Sequence, residues 1–298
     1  MILVAGGTGF VGSAVVRELR QRGEVVAVLG RDARRIRDRF GADVEAREAD
    51  VRQPAALAEA VRGADAVVNA VQFPNSPIEN KRRGWTFEEV DLNGTRHLVD
   101  AARAAGVKRF VYVSGIGAAP EAARHWFRFK WQAEQYVAAS GLDWVVVRPT
   151  WVYGPNDNSL NRLLRFGRFL PFIPTFGNGK QAMQPVFIDD VARVIADAVL
   201  RPEAKNRLFE LGGPEVMTMD DVLKTALSVM GKRRPILHQP VFVGKLLGRL
   251  ASLLPSPPLT ADAVEFIVTP AVADNSLVEE VLKPALTPLR EGLSTYLV

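Results

Sequence analysis

Over the first 150 residues, short runs rich in β-branched residues alternate with stretches whose apolar residues recur at helical spacing. The runs "ILVAGG" (2–7), "VVAVLG" (25–30), "VEAREA" (44–49), "AVVNAV" (66–71), "RFVYVSG" (109–115) and "WVVVRP" (144–149) read as strands. Between them, "VGSAVVRELRQRG", "PAALAEAVRGA", "EVDLNGTRHLVDAARAAG" and "HWFRFKWQAEQYVAASG" read as helices, most of them ending in glycine. Strands this continuously apolar are buried on both faces, so they form a parallel sheet with helices on each side. The predicted fold class is α/β, a doubly wound parallel sheet with a smaller C-terminal lobe.

After Pro149 the rhythm breaks. "YGPNDNS" and "FLPFIPTFGNGK" read as long loops, "FIDDVARVIADAVLRP" (187–202) returns to helix and "RLFELGG" (207–213) to strand. The expected division is a nucleotide-binding domain over 1–150, continued by 187–213, and a substrate or partner lobe from 151–186 and 214–298.

The turn after the first strand carries the first chemistry. In "LVAGGTGFVGSAVV", Gly6, Gly9 and Gly12, with Thr8, Phe10 and Val11 between them, join a strand to a helix. Glycines there permit a tight turn, a close approach to a pyrophosphate and close helix–sheet packing, the Rossmann pattern for dinucleotides. The helix N-terminus adds free N–H groups and a partial positive charge. The second strand then ends in Gly30-Arg31, with Arg34 and Arg35 following, where an acidic residue would select NAD. A small residue followed by a guanidinium suits a 2′-phosphate, so NADP(H) is the expected cofactor, while Asp32 leaves NAD(H) open. Arg34 and Arg35 read equally as a solvated helix face. After the third strand, Asp50 and Val51 are placed to accept from the adenine amino group and cover the ring. Asn69, Ala70 and Val71, in "NAVQ", end the fourth strand beside the ribose.

Composition narrows the remaining classes. No cysteine is present, which removes disulfides, thiolate nucleophiles and Cys-based metal sites. His97, His125 and His238 are too far apart in sequence to suggest a metal cluster, so no metal is expected. "MILVAGGTGF" starts a strand at residue 2, so no leader is expected, and no apolar run is long enough to span a membrane. A cytoplasmic location is expected, with peripheral membrane attachment left open. The formal charge of +5 is a mild bias towards anionic partners and too weak to argue nucleic-acid binding.

These motifs together resemble the extended short-chain dehydrogenase/reductases, the epimerase/dehydratase-like fold. The likeness runs through Gly6–Gly12, "VDLNGTRHLVDAARAAGVKRFVYVSG" (90–115), Lys130, "RPTWVYGPND" (148–157), "FGNGK" (176–180), "QPVFIDDVA" (184–192) and "FELGGPE" (209–215). Within that family the chain is most similar to the atypical branch containing the nucleotide-binding accessory subunit of mitochondrial complex I and its bacterial relatives. The resemblance implies that Lys130 holds the nicotinamide ribose and that Ser114, Pro149, Thr150 and Val152 also line the cofactor. It implies a respiratory-complex or quinone partner as well, while a membrane-surface partner rests on the stripe at 242–255.

One position departs from the family. Active members pair a tyrosine with a lysine four residues later and use a nearby hydroxyl to polarise the substrate carbonyl. Here the tyrosine position in "HWFRFK" is Trp126, and the hydroxyl position falls on Ser114 or on Gly115. His125 is adjacent but about 100° away around the helix. Tyr112 and Tyr136 lie in the wrong places, which leaves Tyr153 in "WVYGP" as the reserve proton donor. Two functions are expected to compete: a cofactor-binding protein with a structural, assembly or redox-sensing role, and an oxidoreductase acting on a quinone or small carbonyl through another donor. Finally, "FVGKLLGRLASLLP" (242–255) places Phe242, Leu246, Leu247, Leu250, Leu253 and Leu254 on one stripe beside Lys245 and Arg249. It reads either as an ordinary helix of the lobe or as an attachment surface.

Overall fold

The computed structural model describes residues 1–74, 78–157, 159–169, 171–251 and 260–297. In chain order the first elements are β1 (Ile2–Ala5), α1 (Phe10–Gln21), β2 (Val26–Gly30), α2 (Ala33–Phe40), β3 (Glu45–Glu48), α3 (Pro54–Ala60) and β4 (Ala66–Asn69). A π-helix over Glu88–Asn93 runs directly into α4 (Gly94–Ala104), followed by β5 (Arg109–Val113), α5 (His125–Ala138) and β6 (Asp143–Pro149). Then come β7 (Val152–Tyr153), α6 (Leu160–Phe169), β8 (Ile173–Phe176), β9 (Ala182–Met183), β10 (Val186–Phe187), α7 (Ile188–Leu200), β11 (Arg207–Leu211) and β12 (Met217–Thr218). The chain closes with α8 (Met219–Val229), β13 (Ile236–Gln239), α9 (Val241–Ala251), α10 (Ala261–Val268), α11 (Ser276–Val281) and α12 (Leu289–Ser294).

The chain divides into two compact units. The first comprises Met1–Pro149, Ile188–Leu211 and Asp274–Ala285. Its seven-stranded sheet has the order β11-β6-β5-β4-β1-β2-β3, and every neighbouring pair is parallel. Alternate residues explain why both faces are covered. Leu3, Ala5, Leu29, Phe110 and Tyr112 pack with Leu57 of α3, Leu98 of α4 and Ala133 and Val137 of α5. Val28 turns the other way: a Cβ added at Gly7 would lie within 3.2 Å of both Val28 and Val16 of α1. Helix α1 also packs against α7.

The second unit comprises Thr150–Phe187, Gly212–Ala273 and Leu286–Val298. It is built on three short strand pairs, with β7 and β8 parallel to β10 and β13 and β9 antiparallel to β12. Helix α8 starts at a capping box in which the side chains of Thr218 and Asp221 satisfy each other's backbone N–H groups. Two sequence expectations change. The "FLPFIPTFGNGK" loop contains a strand, since Ile173–Phe176 pairs with Ile236–Gln239. Asp274–Ala285, assigned from sequence to the second lobe, clusters with the first unit, where α11 packs on β11 and Arg201 donates to the carbonyls of Val281 and Leu282 at 2.8 Å each.

Candidate functional site

The strand order reverses between β1 and β4, and ligands of open α/β sheets bind at that switch point, beyond the carboxyl ends of the strands. The glycine turn stands there. Gly6 has φ +76°, and a Cβ on it would come within 2.7 Å of the Ala70 carbonyl oxygen and 2.9 Å of Val71 N. A Cβ on Gly12 would fall on the Gly6 carbonyl. The backbone therefore closes upon itself where only glycine fits. Gly9 is the N-cap of α1, and no side chain caps the helix. The first-turn N–H groups around Phe10, Val11 and Gly12, with Thr8 in the turn, are left for a ligand. Asn69 fixes the facing strand end: its Oδ1 accepts from Val71 N at 3.1 Å and its Nδ2 donates to Thr95 Oγ1 at 2.9 Å. The structure thus brings Gly6, Gly9, Gly12, Asn69, Ala70 and Val71 into one rim.

At the end of β2 the acidic groups are already engaged. Asp32 caps α2, accepting from Arg35 N at 3.1 Å, and Glu48 accepts from Ala33 N at 3.0 Å. Arg31 lies 4.6 Å from the ring centroid of Trp85, and the Arg52 guanidinium lies over the same ring at 4.6 Å. Neither Trp85 nor Arg52 was picked out from sequence. Arg52 also donates to Asp50 and to the carbonyls of Arg83 and Gly84, tying β3 to the 81–84 turn. Burial opposes ionisation of Asp50, but the Arg52 hydrogen bonds win and hold its carboxyl below the usual range.

Asp50, Val51 and Arg34 each have contacts within the chain. Asp50 has Arg52 as its partner, an opposite charge two residues on. Val51 is buried, and a Cβ on Gly94 of α4 would lie 2.7 Å from its Cγ2. Arg34 extends along α2 to within 3.9 Å of Asp38 and is exposed.

On the other side of β4, α5 carries Lys130. Its Nζ lies 3.6 Å from Oδ1 of Asp91, a carboxylate buried in the π-helix. Asp91 Oδ2 accepts from Phe73 N at 2.9 Å. Burial pushes Asp91 up to about 6, against the pull of Lys130 and the Phe73 N–H. π-turns are often found at functional sites. Ser114, the first hydroxyl candidate, is turned away: Oγ donates to Glu134 Oε1 at 2.5 Å, and Arg148 holds the same carboxylate from Nε at 2.8 Å. Gly115, the alternative, faces the lysine, since a Cβ there would lie 3.9 Å from Lys130 Cδ. Position 115 therefore has space and no hydroxyl.

Trp126, one turn before Lys130, packs into an aromatic group. Its ring stacks on Phe87 at 5.4 Å and 29°, and His125 meets it edge-on at 5.3 Å. His125 Nε2 pairs with Glu79 Oε2 at 3.0 Å. Both line a cavity of about 550 Å³ with Lys81, Thr86 and Phe129. Tyr112 is buried, and burial with the charges of Asp91 and Glu134 pushes its phenol well above 10, which tightens the proton. Tyr136 donates to Asp100 at 2.8 Å. Tyr153, the reserve donor, is fully buried in the second unit against Phe187, and a Cβ on Gly292 would fall on its hydroxyl. Pro149 ends β6, its carbonyl accepting from Ile116 N at 3.0 Å. In the second unit, Thr150 Oγ1 donates to the Gln184 carbonyl at 2.5 Å and Val152 pairs with Val186 in β7.

Residues 6–202 match a family model described as NAD(P)H-binding. A relative in Rattus norvegicus, NADH dehydrogenase [ubiquinone] 1 alpha subcomplex subunit 9, mitochondrial, is 30% identical over 275 residues, 89% of this chain and 70% of that one. The NAD(P)H azoreductase of Xenophilus azovorans is 30% identical over 244 residues, 80% of this chain and 76% of that one. Two solved structures share the fold: NADPH-dependent quinone oxidoreductase QOR2 of Escherichia coli, complexed with NADPH (TM-score 0.77, 19% identity, 99% of each chain), and UDP-glucose 4-epimerase of Thermus thermophilus, complexed with NAD (TM-score 0.74, 23% identity, 99% of this chain and 97% of that one).

Proposed function

This chain belongs to the NAD(P)H-binding family, and from that premise we propose that it holds NADP(H) in a structural, assembly or redox-sensing role and is not an ordinary carbonyl reductase. The observation that carries this reading is the contrast between an intact glycine rim with an uncapped helix and a lysine with Trp126 one turn before it and Gly115 facing it. The residues present fit a dinucleotide: Gly6 and Gly12 leave the space a side chain would fill, and the α1 N–H groups suit a pyrophosphate. Arg31, steadied by Trp85, meets the 2′-phosphate, while Asp32 and Glu48 are engaged at the start of α2. Trp85 covers the adenine end. Bound, the nicotinamide supplies a hydride to an acceptor. Lys130, oriented by Asp91, grips the ribose, and Trp126 walls the site without a proton to give.

The accessory role is supported by the relatives named as subunits of NADH dehydrogenase, which makes a respiratory complex the proposed partner. A second reading, an oxidoreductase, is favoured by the His125–Glu79 pair. A histidine backed by a carboxylate can hand over a proton, and the relative named as an azoreductase supports this reading. A quinone would need the donor least, since its reduced anion takes a proton from water.

Comparison of wild type with Lys130→Ala tests the first reading. Affinity for NADPH should fall about tenfold, on the scale of one charged hydrogen bond, while oxidation of NADPH by aldehydes, ketones and quinones stays at the buffer rate in both. Rapid wild-type oxidation that disappears in His125→Ala would establish the second reading instead.

A further inference from the structure

Helix α9 presents its apolar side to solvent. Phe242, Leu246, Leu247 and Leu250 are 71%, 56%, 52% and 58% exposed, although such residues are among those most often buried. At 100° per residue these four span an arc of about 140°, with Lys245 and Arg249 along one edge. Leu253 and Leu254, counted in the same stripe from sequence, lie outside the described residues. The inward side is fixed by glycine. A Cβ on Gly244 would come within 2.9 Å of Val264 of α10 and strike Phe176, and one on Gly248 would strike the backbone of Thr260 and Ala261. Since α10 packs on the glycines, the helix cannot roll to bury its leucines without losing that close approach.

We propose that α9 docks this protein onto an anionic lipid surface, with Phe242, Leu246, Leu247 and Leu250 entering the acyl boundary and the flanking cations meeting the headgroups. The charge around the helix selects that occupant over an apolar protein groove. Residues 231–251 contain Lys232, Arg233, Arg234, Lys245 and Arg249 and no acidic residue. Lys245 pairs with Glu265 at 3.0 Å on the edge of the stripe, and His238 pairs with Asp220 at 2.8 Å. An exposed apolar arc edged by lysine and arginine is the pattern of helices that lie in a membrane interface. Among the described residues no helix is long and apolar enough to cross a membrane, so α9 would lie on it. Docking through α9 does not depend on the cofactor reading.

Flotation with phosphatidylcholine vesicles, with and without phosphatidylglycerol, tests it on the full chain. Wild type should float with the anionic vesicles at low salt and about tenfold less with the neutral ones. Leu246→Glu with Leu250→Glu should reduce anionic binding by more than about 100-fold, with NADPH affinity and circular dichroism unchanged. Lys245→Glu with Arg249→Glu should remove the preference for anionic lipid. Absence of binding to either vesicle would overturn the proposal, as would equal binding to both. A wild-type dimer in solution that the leucine variant dissolves, with no vesicle binding, would show a second copy of the chain on this face and overturn it too.

Discussion

Replacing Arg31 by alanine should separate the two cofactors. In the structure two carboxylates beside the end of β2 are engaged: Asp32 accepts from Arg35 N, and Glu48 of β3, which pairs with Gly30, accepts from Ala33 N, both at the start of α2. Arg31 is held over Trp85 at 4.6 Å, so little side-chain freedom remains to be lost on meeting a phosphate. A charge-assisted hydrogen bond contributes about 1.5–3 kcal/mol. Arg31→Ala should therefore weaken NADPH binding by roughly 10- to 150-fold. NADH has no 2′-phosphate, and its affinity should change by less than about threefold. Trp85→Ala removes the support and keeps the charge, so its effect on NADPH should be near the 0.5–1 kcal/mol of an exposed cation–π contact, about two- to fivefold. Isothermal calorimetry with both cofactors at one fixed salt concentration measures all of this. Equal wild-type affinities for NADPH and NADH, or an Arg31→Ala that weakens both alike, would refute the reasoning.

Two other changes probe the lysine side. Trp126→Tyr combined with Gly115→Ser places a phenol one turn before Lys130 and a hydroxyl where a Cβ has room, 3.9 Å from Lys130 Cδ; NADPH-dependent aldehyde reduction should rise by about 100-fold or more over wild type, since general acid catalysis contributes 10²–10⁴-fold, and a rate no higher than wild type in a folded variant that binds NADPH would count against the register of α5. Asp91, whose buried carboxyl stands near 6, binds its proton more tightly folded than unfolded, so stability should fall as pH rises from about 4 to about 6 and level off above that. Asp91→Asn should remove that slope, worth up to about 3 kcal/mol before the opposing effect of losing the Lys130 partner; urea unfolding across the pH range checks it, and an unchanged slope would show that Asp91 is ionised throughout.

The sheet was legible because β1, β2, β4, β5 and β6 carry their burial in their own residues, and α1, α4 and α5 are each followed by a glycine with positive φ, at Gly23, Gly106 and Gly141. The glycine rim was legible for the same reason: its geometry is local to residues 6–12. What escaped depends on partners distant in the chain. Trp85 reaches Arg31 from a turn 54 residues later. Ser114 looked free until Glu134 of α5 took its hydroxyl. The π-turn at Glu88–Asn93 widens the helix and sets Asp91 facing inward towards Lys130, where a regular helical period gives no reason to bury a carboxylate. Asp274–Ala285 joins the first unit through its contact with β11, which no periodicity announces.

The most direct test of the central claim is a single-turnover measurement on the protein saturated with one equivalent of NADPH. The bound cofactor is mixed with aldehyde, ketone and quinone acceptors under anaerobic conditions, and its oxidation is followed against NADPH free in the same buffer. With Trp126 beside Lys130 and Ser114 turned to Glu134, NADPH should bind with a stoichiometry of one and be oxidised by carbonyl acceptors no faster than in solution. Failure of NADPH to bind, or carbonyl-dependent oxidation of the bound cofactor at a typical enzymatic rate, on the order of 10 s⁻¹, would contradict the account.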